Sequence, residues 1–124
     1  MKRSTACAAA SGSAAIGEND LTFLAAPLPA NQFGYLLMSD VQADIPGFGG
    51  GQGTLCLGGS ILRLVDLTQS TGGGDFLLLK IDLDGLPQGE VVWPGETWNF
   101  QAWYRDSNPG PTSNTTSALA LIFE

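Results

Sequence analysis

Residues 94–106, PGETWNFQAWYRD, constrain the fold more than any other stretch of this chain. Alternation places Trp98, Phe100, Ala102 and Tyr104 on one side, and Thr97, Asn99, Gln101, Trp103 and Arg105 on the other. That is the two-residue period of a strand. One side is apolar and the other is polar except for Trp103. Pro94-Gly95 opens the run and Asp106-Ser107-Asn108-Pro109-Gly110 closes it, so both ends carry turn chemistry.

The remaining chain reads as short strands separated by Gly, Pro and polar residues. Residues 11–16 are a weak first strand, and residues 21–26 form one with apolar side chains on both faces, stopped by Pro27 and Pro29. Residues 33–40 follow, then a loop at 41–53 holding Pro46 and five glycines. Residues 54–57 are a short strand carrying Cys56, broken by Gly58-Gly59 before a strand at 60–67. After a glycine-rich loop at 68–75, residues 76–83 place Leu77, Leu79, Ile81 and Leu83 on one face. A short edge strand at 90–93, a loop at 106–113 and a final strand at 116–123 complete the chain. The expected class is all-β: a seven- to eight-stranded antiparallel β-sandwich, immunoglobulin-like or jelly-roll in architecture. Its parts are an N-terminal arm at 1–10 and one domain at 11–124, with Met1 read as the start of an excised, processed or recombinant piece.

Charge excludes whole classes of partner. The net charge is -7, with five basic residues against twelve acidic ones. Nucleic acid and anionic membrane surfaces both need a basic patch that this chain cannot build. The sequence has no histidine, which removes the commonest general base, the commonest transition-metal ligand and every Ser-His or Cys-His pair. No apolar run approaches the roughly 20 residues needed to span a bilayer. The two cysteines, Cys7 and Cys56, lack CxxC spacing. They are expected to form a disulfide in an oxidising compartment, closing a loop whose chain entropy is worth about 4 kcal/mol.

Several residue groups suggest chemistry. Trp103 stands among Asn99, Gln101 and Arg105 on the polar side of the opening strand, where folding alone does not demand an aromatic ring; these four are the candidate binding residues. Trp98 and Phe100 are expected in the core. Asp75, Asp82, Asp84 and Asp106 offer carboxylates for a structural calcium, but no EF-hand register is present, so no metal or cofactor is expected. Glu90, Glu96, Asp82 and Asp106 would supply a glycosidase pair only if two faced each other across a cleft. The run 47–53, GFGGGQG, has no lysine and opens no helix, so it is not a phosphate cradle. Asn114-Thr115-Thr116 matches an N-glycosylation acceptor.

The segments NDLTFLAAPLPANQFGYLLMS, GQGTLCLGGSILRL and PGETWNFQAWYRDSNPGPTSNTTSALALIFE resemble a β-rich domain found at or near the C-terminus of large secreted bacterial proteins. The likeness covers about residues 11–124. It is most specific where Leu55-Cys56-Leu57-Gly58-Gly59 is combined with Trp98-Asn99-Phe100-Gln101-Ala102-Trp103-Tyr104-Arg105-Asp106. The resemblance implies an extracellular or cell-surface location and supplies no catalytic residue. The expected function is therefore non-enzymatic association with a protein partner or a second copy, as in a surface layer or filament, through the N-terminal arm and the final strand. The alternative is a carbohydrate-binding module using Trp103, Asn99, Gln101 and Arg105.

Overall fold

The computed structural model describes residues 7–47, 54–107 and 111–124, and only the backbone of 106, 107, 111 and 112. Ten antiparallel strands are present among these residues: β1 (Cys7–Gly12), β2 (Leu21–Ala26), β3 (Phe33–Ser39), β4 (Val41–Pro46), β5 (Thr54–Gly58), β6 (Leu62–Ser70), β7 (Leu77–Ile81), β8 (Thr97–Ser107), β9 (Pro111–Thr115) and β10 (Leu119–Ile122). The all-β class expected from the sequence is the class observed. No helix of the described residues is long and apolar enough to cross a membrane.

The long strand β8 is the axis of a five-stranded sheet. On one edge it pairs with β3, from Gly34 opposite Tyr104 to Ser39 opposite Asn99, and β6 flanks β3. Its other edge is shared, with β10 against residues 97–100 and β9 against residues 103–107. Thr116 fills the break between them: its N–H donates to the Ala102 carbonyl at 2.9 Å, and its hydroxyl accepts the Ala102 N–H at 3.0 Å. A side chain thus completes the ladder where the main chain leaves it.

Two layers cover this sheet, one on each face. Trp98, Phe100, Ala102 and Tyr104 of β8, with Leu36 and Met38 of β3, pack on Leu21, Phe23 and Ala25 of β2 and Leu77, Leu79 and Ile81 of β7. The Phe23 and Phe100 ring centroids lie 4.4 Å apart, and Phe123 meets Phe100 edge-on at 6.3 Å. The covering sheet has the order β1-β2-β7. On the opposite face the β4-β5 hairpin buries Leu37 with Leu55 and Leu57, beside Tyr35, Ile61 and Trp103. Residues 36–38 are therefore fully buried although their side chains alternate, as expected of a strand covered on both faces. Gly34 is required where β3 crosses β8, because a Cβ there would lie 2.8 Å from the Trp103 carbonyl oxygen and 2.9 Å from Leu77 Cδ1.

Four differences from the sequence reading have physical causes. Residues 41–46, expected in a loop, form β4; the glycines that weakened the segment begin only at Gly47. Residues 48–53 and 108–110 lie outside the described residues. Part of the loop expected at 106–113 is strand, since β8 runs on to Ser107 and β9 returns along it. Residues 90–93 make no strand: Val92 alone is buried, while Trp93 is 63% exposed and its N–H is held by Glu96 Oε1 at 2.7 Å. The first strand lies at Cys7–Gly12, not at 11–16, so the described part of the expected arm is an edge of the sandwich. Gly12 ends that strand at a φ of 98°, where a Cβ would collide with the Asp20 carbonyl. Residues 1–6 lie outside the described residues.

The Cys7–Cys56 disulfide is a further correction, because the two cysteines are not joined. Cys7 opens β1 opposite Ala26 in the three-stranded sheet, whereas Cys56 sits in β5 on the far side of the central sheet. Chain spacing carries no information about which face of a sheet a strand will cover.

Candidate functional site

The four candidate binding residues of β8 separate into two pairs. Asn99 and Gln101 point away from the main core, but the hairpin closes over them, leaving them 4% and 1% exposed. Gln101 Nε2 donates to the Thr54 and Thr116 carbonyls at 2.8 and 2.7 Å, and its Oε1 accepts the Cys56 N–H at 2.9 Å. Asn99 Nδ2 donates to the Ser39 carbonyl at 3.2 Å, and its Oδ1 accepts Gln42 Nε2 at 3.1 Å. These amides seal the hairpin to the sheet by pairing main-chain groups along the seam between them.

Trp103 is half-buried. Its ring lies 5.3 Å from that of Tyr35, and the Arg105 guanidinium sits 5.4 Å over it. A stacked, cation-covered indole of this kind gains from packing without any ligand. Beside this group at the start of β3, Phe33 is 58% exposed. Sequence reasoning missed Phe33 and Tyr35 as neighbours of Trp103, since that adjacency depends on the β3–β8 register. Ser39 belongs to the same buried network and was equally invisible: its hydroxyl donates to the Gly58 carbonyl at 2.5 Å and accepts the Val41 N–H at 3.0 Å.

Among the described residues the acidic side chains do not gather in threes, and no group of three or more carboxylates or thiols is placed to hold a metal ion. Asp82 Oδ1 accepts Asn19 Nδ2 and the Asp84 N–H, both at 3.0 Å, while Asn19 Oδ1 accepts the Leu83 N–H at 2.8 Å. The Asn19 side chain, and then the Asp84 N–H, hold the Asp82 carboxyl below the ordinary aspartate range. Asp82 therefore pins a turn to the loop before β2. Asp82 and Asp66 border a cleft of about 170 Å³ with Leu64, Leu67, Leu86 and Pro87. Glu96 holds the 93–96 turn, and the side chain of Asp106 lies outside the described residues. A second cleft, about 270 Å³, lies between the hairpin and β10, where Gln42, Cys56 and Asn99 meet Ala118 and Ala120. Of the N-glycosylation pattern, Asn114 is half-buried in β9, and the Thr116 hydroxyl is already engaged.

The surface that sequence reasoning did not single out is the outer side of the three-stranded sheet. Register places Ala9, Leu24 and Leu78 in one row across β1, β2 and β7. Leu24 is 39%, Phe76 47% and Leu78 50% exposed. The row ends at β1, an edge strand with almost all its residues exposed and no charge, proline or bulge. Proteins that must stay apart blunt such edges with those devices. Several of the other edges carry them. β6 has Arg63 and Asp66, and β4 has Asp44, Pro46 and a register shift. β7 has Lys80, and the short β10 leads into Glu124. A pattern search could have found the apolar outer face in Leu24, Phe76 and Leu78, but only the topology makes β1 an edge.

Comparison with known protein families, with curated proteins and with solved structures finds no match.

Proposed function

We propose that this chain is a non-enzymatic, extracellular association module that binds another polypeptide through its three-stranded sheet. The observation that carries the reading is the junction of an uncharged edge strand, β1, with the exposed apolar row Ala9, Leu24 and Leu78. An edge offers main-chain hydrogen bonds and the adjoining face offers area, the two components of strand addition. The absence of histidine from the sequence supports a non-catalytic role. The resemblance to C-terminal domains of secreted proteins supports the location.

Sedimentation velocity over a concentration series tests the reading. Wild-type protein is expected to associate, and Leu24→Glu with Leu78→Glu, which places charge in the row, is expected to weaken association at least about tenfold. A wild-type protein that stays monomeric throughout refutes it. A second reading, glycan recognition, draws on exposed Phe33 beside Tyr35, Trp103 and Arg105, without Asn99 and Gln101, whose amides are occupied.

A further inference from the structure

The direction of the β1 main-chain groups specifies more than an open edge. Ser13 donates its N–H to the Asp20 carbonyl at 2.6 Å, continuing the β1–β2 ladder beyond Gly12. In an antiparallel pair such bonded positions alternate, so Ser11, Ala9 and Cys7 face β2 while Ala8, Ala10 and Gly12 turn their N–H and C=O groups outward. The Ala8 N–H confirms this parity by donating to Ser117 Oγ at 3.3 Å, on the side away from β2. The chain beyond Gly12 is tied to the end of the central sheet: Glu124 donates to the Ala14 carbonyl and Ile16 to the Glu124 carbonyl, both at 2.9 Å. Between these ties no main-chain bond of the described residues reaches the outward groups of Ala10 and Gly12, and both residues are exposed.

We infer that β1 pairs antiparallel with β1 of a second copy about a two-fold axis at Ala10, joining two three-stranded sheets into one. The inference rests on the association reading and adds the partner and the register. In this register the Ala10 N–H of each copy donates to Ala10 C=O of the other, and each Gly12 N–H donates to Ala8 C=O. The Ala8 N–H exchanges its 3.3 Å bond to Ser117 Oγ for Gly12 C=O of the other copy. The facing side chains are Ala9 with Ser11 on the outer face, and Ala8 with Gly12 and Ala10 with Ala10 on the inner one. Every facing residue is Ala, Ser or Gly, so two backbones can approach to the usual strand spacing of about 4.8 Å. No side chain of β1 is charged, so no like charges face each other across the axis, although each copy carries -7. A copy of β1 therefore meets this edge without the repulsion that an acidic strand would bring. The two apolar rows end up on one surface of the joined sheet.

The test uses the full chain. Ala10→Pro deletes an outward N–H that β2 does not use, and Ala10→Lys places two like charges on the axis. Each is expected to weaken dimerisation at least about tenfold in sedimentation velocity, with unchanged circular dichroism. If Ala10→Pro fails to fold, Ala10→Lys alone decides. The register has its own readout in a Cys7→Ser, Cys56→Ser background. Mild oxidation of a mixture of Ala9→Cys chains and Ser11→Cys chains should give the mixed covalent dimer well above either chain alone, because position 9 faces position 11 across the axis. Self-association that survives both Ala10 variants but is lost in Leu24→Glu with Leu78→Glu overturns the β1 pairing and leaves the association reading standing. A wild-type chain that stays monomeric overturns both.

Discussion

Replacing Gln101 by leucine removes the amide that joins the hairpin to the central sheet while keeping most of the side-chain volume. In the native protein that amide makes three hydrogen bonds, to Thr54, Thr116 and Cys56, from a position 1% exposed. The Thr54 carbonyl keeps a second donor, Thr115 Oγ1 at 3.1 Å, so the groups left without a partner are the Thr116 carbonyl and the Cys56 N–H. Net hydrogen-bond loss of about 1 kcal/mol each, with added desolvation for orphaned groups, puts the cost of Gln101→Leu at about 3 kcal/mol. With an unfolding entropy of about 2.1 cal/mol/K per residue, the thermal midpoint should fall by about 10 °C. Gln101→Glu sharpens the test. An ionised carboxylate can still accept the Cys56 N–H but faces the Thr54 and Thr116 carbonyls, so folding should raise its pKa above the unfolded value. Its stabilising contribution is then present at low pH and is lost as pH rises through the folded pKa. This variant should lie closer to wild type near pH 4 than at pH 7. Urea titrations followed by circular dichroism at both pH values give the answer. A midpoint drop below about 2 °C for Gln101→Leu, or an equal loss at both pH values for Gln101→Glu, would refute the role given to this amide.

Other outcomes follow from single contacts. Phe100→Ala empties a fully buried site between Phe23 and Phe123 and should cost about 3–5 kcal/mol in urea denaturation, enough to unfold a marginal domain. Gly34→Ala forces a Cβ against the Trp103 carbonyl, where no side chain can give way, and should cost about 1–3 kcal/mol. Thr116→Val leaves the Ala102 N–H without its hydroxyl acceptor and should cost about 1–3 kcal/mol, whereas Thr116→Ser should retain most of the stability. The Asp82 carboxyl should titrate below the ordinary aspartate range by NMR and move back up in Asn19→Gly. Its contribution to stability is present above the ordinary value and fades as pH falls through the lowered one.

The core face of β8 was legible because alternation and burial coincide there: Trp98, Phe100, Ala102 and Tyr104 are all buried. The same logic read Leu77, Leu79, Ile81 and Leu83 correctly. It gave the wrong meaning to Asn99 and Gln101, since a polar side chain on the second face of a strand looks alike whether water or a hairpin covers it. What covers that face is β4-β5, and β4 was hidden in the sequence by its own Pro46 and the glycines that follow it. The disulfide failed for a related reason, because pairing depends on layer and layer is set by topology. The candidate surface on the outer sheet needed strand order, which no local pattern contains.

Amide hydrogen exchange at Ala10 and Gly12, measured by NMR at several protein concentrations, tests the association claim most directly. Their N–H groups face away from β2, so dilute protein should exchange them rapidly while the Ala9 and Ser11 amides stay protected. Protection at Ala10 and Gly12 should then grow as concentration rises and the edges pair. Fast exchange at both positions that does not change with concentration would contradict it.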